Sequence, residues 1–234
     1  MGKLYGVSVG TGDPELITLK GLKRLQQATV VAFPEGLNGK QGVAERIIAP
    51  WLQSQQTLLP LKFPYVQDEQ ALTDAWQMAA QTVLSYLQNG EAVTFACEGD
   101  ISFYSTFTYL AQTVQQLDPT VMVETIPGVC SPMAVASELG IPLTVRSQRL
   151  LILPALYCLD DLETALKMAD VIVLMKVSSL YSQVWELLQK KGLLDRSWVV
   201  ERATMPEQVI YRDLRDRADL NLSYFSVMII QTHF

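Results

Sequence analysis

The chain of 234 residues is long enough for one large or two small domains, and 49% hydrophobic and 18% charged residues are typical of a folded protein. A net charge of −6 and an isoelectric point near 4.9 argue against a surface that binds nucleic acid. No run approaches the roughly 18 uncharged apolar residues of a membrane helix, and the first residues leave no room for a signal peptide. We therefore expect a cytoplasmic protein without membrane contact.

Strand and helix patterns alternate along the chain, which is typical of an α/β fold. In the first half, short apolar runs predict strands at residues 4–9, 29–33, 92–96 and 121–125. Apolar residues at helical spacing predict helices after Asp13, at 43–48, at 68–88 and from 103 onward. The apolar stripe of the first helix consists of Leu16, Leu19, Leu22 and Leu25. The polar, glycine-rich segment 34–42 is predicted to be a mobile loop, able to cover a site.

Pro127-Gly128 interrupts the alternation, and we place a domain boundary there, with domains at 1–126 and 127–234. The second half repeats the pattern. Helices are predicted near 133–139, at 162–168 and at 180–191, and strands at 149–153, at 171–176 and around Trp198, Val209 and Met228. The sequence therefore predicts two α/β domains.

Thiol and imidazole chemistry is not expected from this chain. Its three cysteines, Cys97, Cys130 and Cys158, are widely spaced and odd in number, which fits neither a disulfide framework nor a zinc site. The single histidine, His233, stands one residue from the chain end. Because a catalytic thiol needs a base and borderline metals prefer imidazole, we predict neither cysteine catalysis nor a metal site.

A glycine-acid turn, Gly99-Asp100, lies between a predicted strand and a predicted helix. Such junctions stand at the carboxyl ends of strands, where open α/β sheets bind ligands. Gly99 permits a close approach of the backbone to a ligand, and Asp100 can accept hydrogen bonds or cap the helix. An ordinary strand-to-helix turn with an aspartate cap explains the same pattern, so these residues alone leave both interpretations open.

A second glycine-rich turn, Gly10-Thr11-Gly12-Asp13, follows the first predicted strand. It does not match a dinucleotide-binding fingerprint, because Glu15 replaces the third glycine and Asp13 would repel a pyrophosphate. A P-loop is excluded too, because no Gly-Lys-Ser/Thr sequence follows. A turn with a helix cap at Asp13 is compatible with this motif as well.

Three motifs in this order resemble the tetrapyrrole methylase family. They are Val7-Ser8-Val9-Gly10-Thr11-Gly12-Asp13-Pro14-Glu15, Gly99-Asp100 with Tyr104-Ser105-Thr106-Phe107, and Ile126-Pro127-Gly128-Val129-Cys130-Ser131. A further set resembles the branch that methylates carbon C20 of a corrin precursor: Phe63-Pro64, Asp68, Leu72, Trp76 and Tyr104. The resemblance implies two α/β domains with a cofactor cleft between them, methyl transfer from S-adenosylmethionine, and a homodimer.

The resemblance also implies which residues contact S-adenosylmethionine or its product S-adenosylhomocysteine, largely through backbone atoms. The implied cofactor residues are Thr11, Glu98, Gly99, Asp100, Phe103, Cys130, Ser131, Met175 and Ala203. Met175 as core filling and Ala203 as a small packing residue also have plain structural explanations. Many relatives have Pro where Ile101 stands and Thr where Cys130 stands, departures that backbone contacts tolerate.

The implied substrate is a polycarboxylate tetrapyrrole, so basic residues must be concentrated locally on this acidic chain. The available ones lie in the second half: Arg146, Arg149, Lys176, Arg202 and Arg212. Among these we predict substrate contacts for Arg146 and Arg149, and the resemblance places Asp13 beside the substrate and cofactor. Scattered solvated charges are the plain alternative for any one arginine.

Asp100 and Tyr104 are the nearest candidates for a general base that removes the C20 proton after methyl transfer. Three other functions stay open on the sequence alone: methylation of another corrin carbon, methylation of RNA ribose, and tetrapyrrole binding without catalysis. The low isoelectric point and the absence of a basic stripe argue against RNA.

Overall fold

The computed structural model describes residues 1–36, 40–64 and 68–232. The chain divides into two compact units, Met1–Cys130 and Ser131–Phe234, each with its own sheet. His233 and part of the segment 34–42, which the sequence predicts to be mobile, lie outside the described residues. Within the described ranges, no helix combines the length and the apolar content that a membrane crossing requires.

The first unit is built on a five-stranded parallel sheet. Its strands are β1 (Leu4–Ser8), β2 (Val30–Pro34), β3 (Thr57–Leu61), β4 (Val93–Cys97) and β5 (Val123–Ile126). They lie in the order β3-β2-β4-β1-β5, and every neighbouring pair is parallel. Its helices are α1 (Leu19–Gln27), α2 (Val43–Ile48), α3 (Glu69–Gln88) and α4 (Thr106–Leu117).

Helices cover both faces of this sheet because its central strands carry apolar side chains on both sides. Val93 and Phe95 of β4 belong to the core shared with α3 and α4, whereas Ala96 belongs to the core shared with α1 and α2. Strand β1 lies between the central strand β4 and the edge strand β5, so the carboxyl ends of these three parallel strands are neighbours. The two glycine-rich turns begin at these ends.

The second unit contains a mixed sheet in the order β6-β7-β10-β8-β9. These strands are β6 (Leu150–Leu153), β7 (Val171–Met175), β8 (Ser197–Glu201), β9 (Val209–Tyr211) and β10 (Ser226–Gln231). The β6–β7 pair is parallel, and the other three pairs are antiparallel. Its helices are α5 (Ser131–Leu139), α6 (Leu159–Met168) and α7 (Tyr181–Lys191).

Strict alternation along β7 separates the two cores of the second unit. Val171 and Val173 pack with α5, whereas Ile172 and Leu174 pack with α6 and α7. Both sides of the sheet are therefore filled with apolar side chains, which is why β7 and β10 appear as nearly unbroken apolar runs in the sequence.

The structure differs from the sequence-based elements at three places. The helix predicted from residue 103 onward begins only at Thr106, because Tyr104 has a left-handed φ and Ser105 is the cap. The first helix is interrupted: Asp13 caps a single 3-10 turn, Pro14–Leu16, and α1 begins only at Leu19 with Thr18 as its cap. Leu19 is therefore 77% exposed and not part of the apolar stripe. The sequence-based prediction also missed β3, whose Pro60 argues against a strand but is tolerated because β3 lies at the sheet edge.

Candidate active site

The turns that follow β1, β4 and β5 meet at the carboxyl edge of the first sheet. Gly10 and Gly99 form an isolated antiparallel bridge, in which the Gly99 N–H donates to the Gly10 carbonyl at 2.7 Å. The Val9 N–H donates to the Cys97 carbonyl at 2.9 Å. The two glycine motifs, separated by about ninety residues in the chain, are therefore paired directly in space.

Gly99 leaves open space at the position of a side chain. Its φ is +71°, a left-handed conformation that side chains rarely adopt, and a Cβ built there would meet no atom within 4 Å. Gly10 has a φ of +80°, but a Cβ at that position would lie 2.8 Å from the Leu16 Cβ. Space is thus free beside Gly99, whereas at Gly10 both the left-handed φ and the close packing against Leu16 require glycine.

The carboxylate of Asp100 joins two of the turns. Its Oδ1 accepts hydrogen bonds from the N–H and the hydroxyl of Ser102, and its Oδ2 accepts one from the Gly128 N–H at 2.7 Å. Burial by itself would raise the pKa of this carboxyl, but the hydrogen bonds outweigh it and hold the pKa below its ordinary value. Both carboxylate oxygens of Asp100 are thus occupied by hydrogen-bond donors, and its role as a general base stays a prediction.

Cys97, at the end of β4, carries a buried thiol that does not act as a nucleophile. It is buried, its Sγ lies 3.0 Å from the Ser105 Oγ, and burial raises the pKa of the thiol to about 12. Because the thiolate is the reactive form, this residue stays protonated and unreactive near neutral pH.

The aromatic residues after the turn are held in an unusual conformation. Tyr104 has a φ of +51° and is 58% exposed, and its ring contacts the edge of Phe103 at 4.7 Å between centroids. Strained non-glycine backbone of this kind clusters at functional sites. Tyr104 therefore presents an accessible phenol at the edge where the turns meet.

The three turns carry negative charge. Segments 9–16, 98–105 and 127–131 contain four carboxylates, at Asp13, Glu15, Glu98 and Asp100, and no lysine, arginine or histidine. Asp13 uses its Oδ1 to accept a hydrogen bond from the Glu15 N–H at 2.8 Å, so its capping role is observed. Such an edge favours a cationic ligand and disfavours a phosphate.

The other predicted cofactor residues lie at the ends of elements. Thr11 is buried in the turn after Gly10, Cys130 is half-buried at the end of the first unit, and Ser131 is the first residue of α5. In the second unit, Met175 ends β7 and packs with the α5 core. Ala203 is only 7% exposed and belongs to that same core.

Three residues that resemble the C20 branch, Phe63, Asp68 and Trp76, lie on the side of the first sheet that α3 covers. Trp76 of α3 stacks on Tyr109 of α4, with ring centroids 4.3 Å apart and planes 6° from parallel. Phe63 contacts Phe95 edge to face, and Asp68 caps α3 by accepting from the Ala71 N–H at 2.7 Å. Packing and capping account for these three residues, and their contribution to substrate choice stays a prediction.

The predicted substrate arginines do not gather at one edge of the second sheet. Arg149 precedes β6 and lies beside Asp170, which precedes β7, with its Nε 3.6 Å from the Asp170 Oδ2. This pair stands at the amino ends of β6 and β7, one strand length away from Met175. The Arg212 side chain has a structural role, because its guanidinium donates hydrogen bonds to the carbonyls of Glu138 and Leu139 at the end of α5.

Two other basic residues stand at the carboxyl ends of β7 and β8. Lys176 has a φ of +55° and lies 4.9 Å from the Tyr224 ring centroid, and Arg202 has a φ of +49°. Both follow their strands directly, as Met175 and Glu201 are the last strand residues. Lys176 and Arg202, which the sequence analysis named among five basic residues of the second half, lie at the same edge of the second sheet as Met175 and Ala203. Arg146, also left-handed at +54°, is exposed in the segment before β6.

Sequence reasoning missed Ser8, the last residue of β1. It is fully buried, accepts a hydrogen bond from the Ile101 N–H at 2.8 Å and donates one to the Ile126 carbonyl at 2.8 Å. The signal was present as a single polar residue between Val7 and Val9 in an otherwise apolar strand end. A buried hydroxyl at such a position needs partners, and here they come from the turn after β4 and from the last residue of β5.

The described residues contain no group of three or more His, Cys, Asp or Glu side chains able to hold a metal ion. The fold is that of an α/β protein of two units, and the parallel sheet of the first unit carries acidic turns at the carboxyl ends of β1 and β4. The chain belongs to the tetrapyrrole (corrin/porphyrin) methylases, whose family model matches residues 3–219.

Similar sequences extend over nearly the whole chain. A cobalt-precorrin-2 C(20)-methyltransferase of Salmonella typhimurium is 29% identical over 230 residues, covering 98% of this chain and 96% of that protein. A precorrin-2 C(20)-methyltransferase of a Sinorhizobium species is 31% identical over 238 residues, covering 98% and 95%.

Solved structures show the same fold. A cobalt precorrin-4 methyltransferase superimposes with a TM-score of 0.76 at 26% identity, covering 98% of this chain and 94% of that one. A uroporphyrin-III C-methyltransferase from Thermus thermophilus, solved with S-adenyl homocysteine, gives a TM-score of 0.67 at 21% identity, with coverage of 98% and 92%. The predicted α/β fold of the tetrapyrrole methylase type is thereby confirmed.

Proposed function

We propose that this protein transfers a methyl group from S-adenosylmethionine to C20 of precorrin-2 or of its cobalt-containing form, a step of cobalamin biosynthesis. The observation that carries the proposal is the open turn at Gly99, set among acidic turns at a sheet edge, in a chain of this family. The names of the two C20-methyltransferases similar over nearly the whole chain support the choice of carbon.

The site fits the chemistry of the proposed cofactor. S-adenosylmethionine carries a sulfonium and an ammonium besides its carboxylate, and the carboxylates of Glu98 and Asp100 provide a favourable field for positive charge. The free space at Gly99 leaves room for a bound group against backbone. Contacts at Thr11, Phe103, Cys130, Ser131, Met175 and Ala203 complete the proposed cofactor set.

When bound, the cofactor supplies an electrophilic methyl group for direct displacement by the electron-rich tetrapyrrole. The protein's own task is to hold the two reactants in line, and such alignment can supply roughly 7–11 kcal/mol of the barrier. Fixed turns suit this task, and the hydrogen bonds of Asp100 to Ser102 and Gly128 fix two segments of the edge. Asp100 therefore acts in this proposal by holding backbone. Tyr104 stays the other candidate base, which accepts the C20 proton only in its phenolate form, and without a base the conjugated substrate releases that proton to water.

Lys176 and Arg202 are the proposed contacts for substrate carboxylates in the second unit. They lie at the strand ends near Met175 and Ala203, whereas Arg149 lies at the opposite edge beside Asp170. Lys176→Ala and Arg202→Ala should raise the KM for the tetrapyrrole several-fold, while Arg149→Ala, the matched control, should leave it within about twofold. A raised KM in Arg149→Ala, with an unchanged KM in the other two variants, would support the sequence-based prediction that Arg149 contacts the substrate.

Product analysis tests the regiochemistry. The protein is incubated with methyl-labelled S-adenosylmethionine and either metal-free or cobalt-loaded substrate, and the product is examined by carbon-13 NMR. We expect one label, at C20, and the more rapidly converted substrate identifies the metal state used. A label at another ring carbon contradicts the C20 assignment and leaves the methylase assignment in place.

Binding of S-adenosylhomocysteine separates an enzyme from a tetrapyrrole-binding protein without catalysis. We expect a calorimetric titration of the purified protein to show one site per chain. Failure to bind either this compound or S-adenosylmethionine, with the tetrapyrrole still bound, would favour the non-catalytic alternative.

We further propose that the protein is a cytoplasmic homodimer, as the family resemblance implies. Sedimentation equilibrium of the full chain should give twice the monomer mass, where the monomer is 26.1 kDa. A monomer across the accessible concentration range would remove the dimer from the proposal, and fractionation of the source cells tests the compartment.

A further inference from the structure

Ser8 is buried at the centre of the site, below the turns and out of reach of any ligand. Its relative exposure is 0%, and its hydroxyl is used twice, as an acceptor for the Ile101 N–H and as a donor to the Ile126 carbonyl, each at 2.8 Å. One hydroxyl on β1 thus connects the turn after β4 with the end of β5. Both of these partners are backbone groups, so the connection fixes chain positions directly, and the Ser8 hydroxyl also interacts with the neighbouring Asp100 carboxylate.

A second connection joins the same two segments beside this one. The Asp100 Oδ2 accepts from the Gly128 N–H at 2.7 Å, and Asp100 immediately precedes Ile101. Gly128 packs on Ser8 so closely that a Cβ at Gly128 would lie 2.5 Å from the Ser8 Cβ. The Gly99-Asp100 turn and the Pro127-Gly128 segment are therefore held at two points, by Ser8 below and by Asp100 at the side.

We propose that Ser8 is a positioning residue that sets the distance between these two segments and thereby the affinity for the cofactor. The inference rests on the proposed function, because the first segment belongs to the proposed cofactor set and the second leads directly into Cys130 and Ser131 of that set. Removing the hydroxyl leaves a buried N–H and a buried carbonyl without this partner, so the two segments should separate or rearrange. Ser8 itself contacts no ligand, which distinguishes it from a binding residue.

Ser8→Ala is the main test, with two measurements on the full-length protein. Hydrogen exchange of the unliganded variant should quicken in peptides covering 98–104 and 126–129 and stay unchanged in α7. The Kd for S-adenosylhomocysteine, measured by calorimetry, should rise about tenfold, the factor that corresponds to 1.4 kcal/mol. Ser8→Cys, which keeps a weaker donor and acceptor, should give a smaller rise.

Two control variants separate positioning from a general loss of stability. Thr94→Val removes another buried hydroxyl of the same sheet, one without a hydrogen-bond partner among the described residues, and should change neither exchange nor affinity. Leu87→Ala opens the core at the far end of α3 and should lower the melting temperature at least as much as Ser8→Ala, with an unchanged Kd.

Each outcome decides the proposal. Unchanged exchange in the two segments of Ser8→Ala overturns the connection itself. Faster exchange with an unchanged Kd overturns its role in cofactor binding, and so does an equal loss of affinity in Leu87→Ala. If the wild-type protein binds no S-adenosylhomocysteine, the proposed function fails, while the exchange experiment still decides whether Ser8 holds the segments together.

Discussion

Gly99 combines a left-handed backbone with open space at the position of a side chain, and Gly90 at the end of α3 does the same. Their φ values are +71° and +84°, and neither has an atom within 4 Å of a built Cβ. A residue with a Cβ in this conformation costs roughly 1–2 kcal/mol at either position. A valine at Gly99 would add β-branching to this strain, so alanine is the cleaner probe.

We therefore expect Gly99→Ala and Gly90→Ala to lower the free energy of unfolding by similar amounts, about 1 kcal/mol each. Only Gly99→Ala should weaken S-adenosylhomocysteine binding, because its methyl group projects into the proposed site. Denaturant unfolding and calorimetry check the two quantities. Equal affinities for the two variants would remove Gly99 from the site.

Asp100 makes the stability of the protein depend on pH in a defined direction. Hydrogen bonds hold the pKa of its carboxyl below the ordinary value despite burial. A group with a lowered folded-state pKa contributes stability above its unfolded pKa, about 3.9, and loses that contribution as the pH falls through the folded value. The contribution is thus complete at neutral pH and disappears in acid.

Asp100→Asn should accordingly lose stability at pH 7 and show a weaker acid dependence than the wild type below about pH 4. Asp216→Asn, at an exposed aspartate, serves as the control. Thermal unfolding followed by circular dichroism across this range measures both variants. If the melting temperature of Asp100→Asn fell with pH below about pH 4 as steeply as that of the wild type, the hydrogen bonds from Ser102 and Gly128 would not contribute to the pH dependence of stability.

Two arginines of the second unit have left-handed backbone, one of them directly after a strand. Arg202, directly after β8, has a φ of +49°, and Arg146, in the segment before β6, has a φ of +54°. Glycine removes the strain of this conformation, at a smaller entropic cost in the unfolded chain. Strain retained at a strand end is consistent with a functional use of the side chain.

Arg202→Gly and Arg146→Gly should therefore each stabilise the protein slightly, by about 0.5 kcal/mol. Only Arg202→Gly should raise the KM for the tetrapyrrole, since Arg202 is the proposed carboxylate contact at that edge. Steady-state kinetics and denaturant unfolding give the two numbers. A raised KM in Arg146→Gly alone would instead support the sequence-based assignment of Arg146.

The whole molecule carries a net charge of −6, and its proposed substrate is itself a polycarboxylate. Long-range repulsion and local attraction by Lys176 and Arg202 therefore act in opposite directions. Both weaken with salt, because the screening length falls from about 20 Å near 20 mM to about 6 Å near 300 mM.

We expect the local contacts to dominate, so the KM for the tetrapyrrole should rise across this salt range. The Kd for S-adenosylhomocysteine, a ligand of little net charge, should change by less than about twofold. A tetrapyrrole KM that falls with salt would show that net repulsion governs substrate capture.

Local patterns in the sequence determined most elements. The long helix α3 and the buried strands β4 and β7 follow from spacing and apolar runs, which depend only on neighbouring residues. The motif order supplied the family and the glycine-acid turn. Element ends were less well determined: Thr18 begins a new helix where the apolar stripe suggests continuity, because a capping hydrogen bond to Gly21 competes with the pattern.

Only the tertiary structure decided which of these segments meet. Ser8 binds backbone 93 and 118 residues further along, and strand order, not local pattern, brings those partners together. The tertiary structure also decided where Arg149 lies, because the parallel pairing of β6 and β7 puts it beside Asp170 at the amino ends of these strands. It decided the burial of Ala203 as well, because α5 covers that residue. The spacing of apolar residues along the chain shows which side of a helix or strand is buried. Which other elements pack against that side depends on the order in which the strands assemble into the sheet.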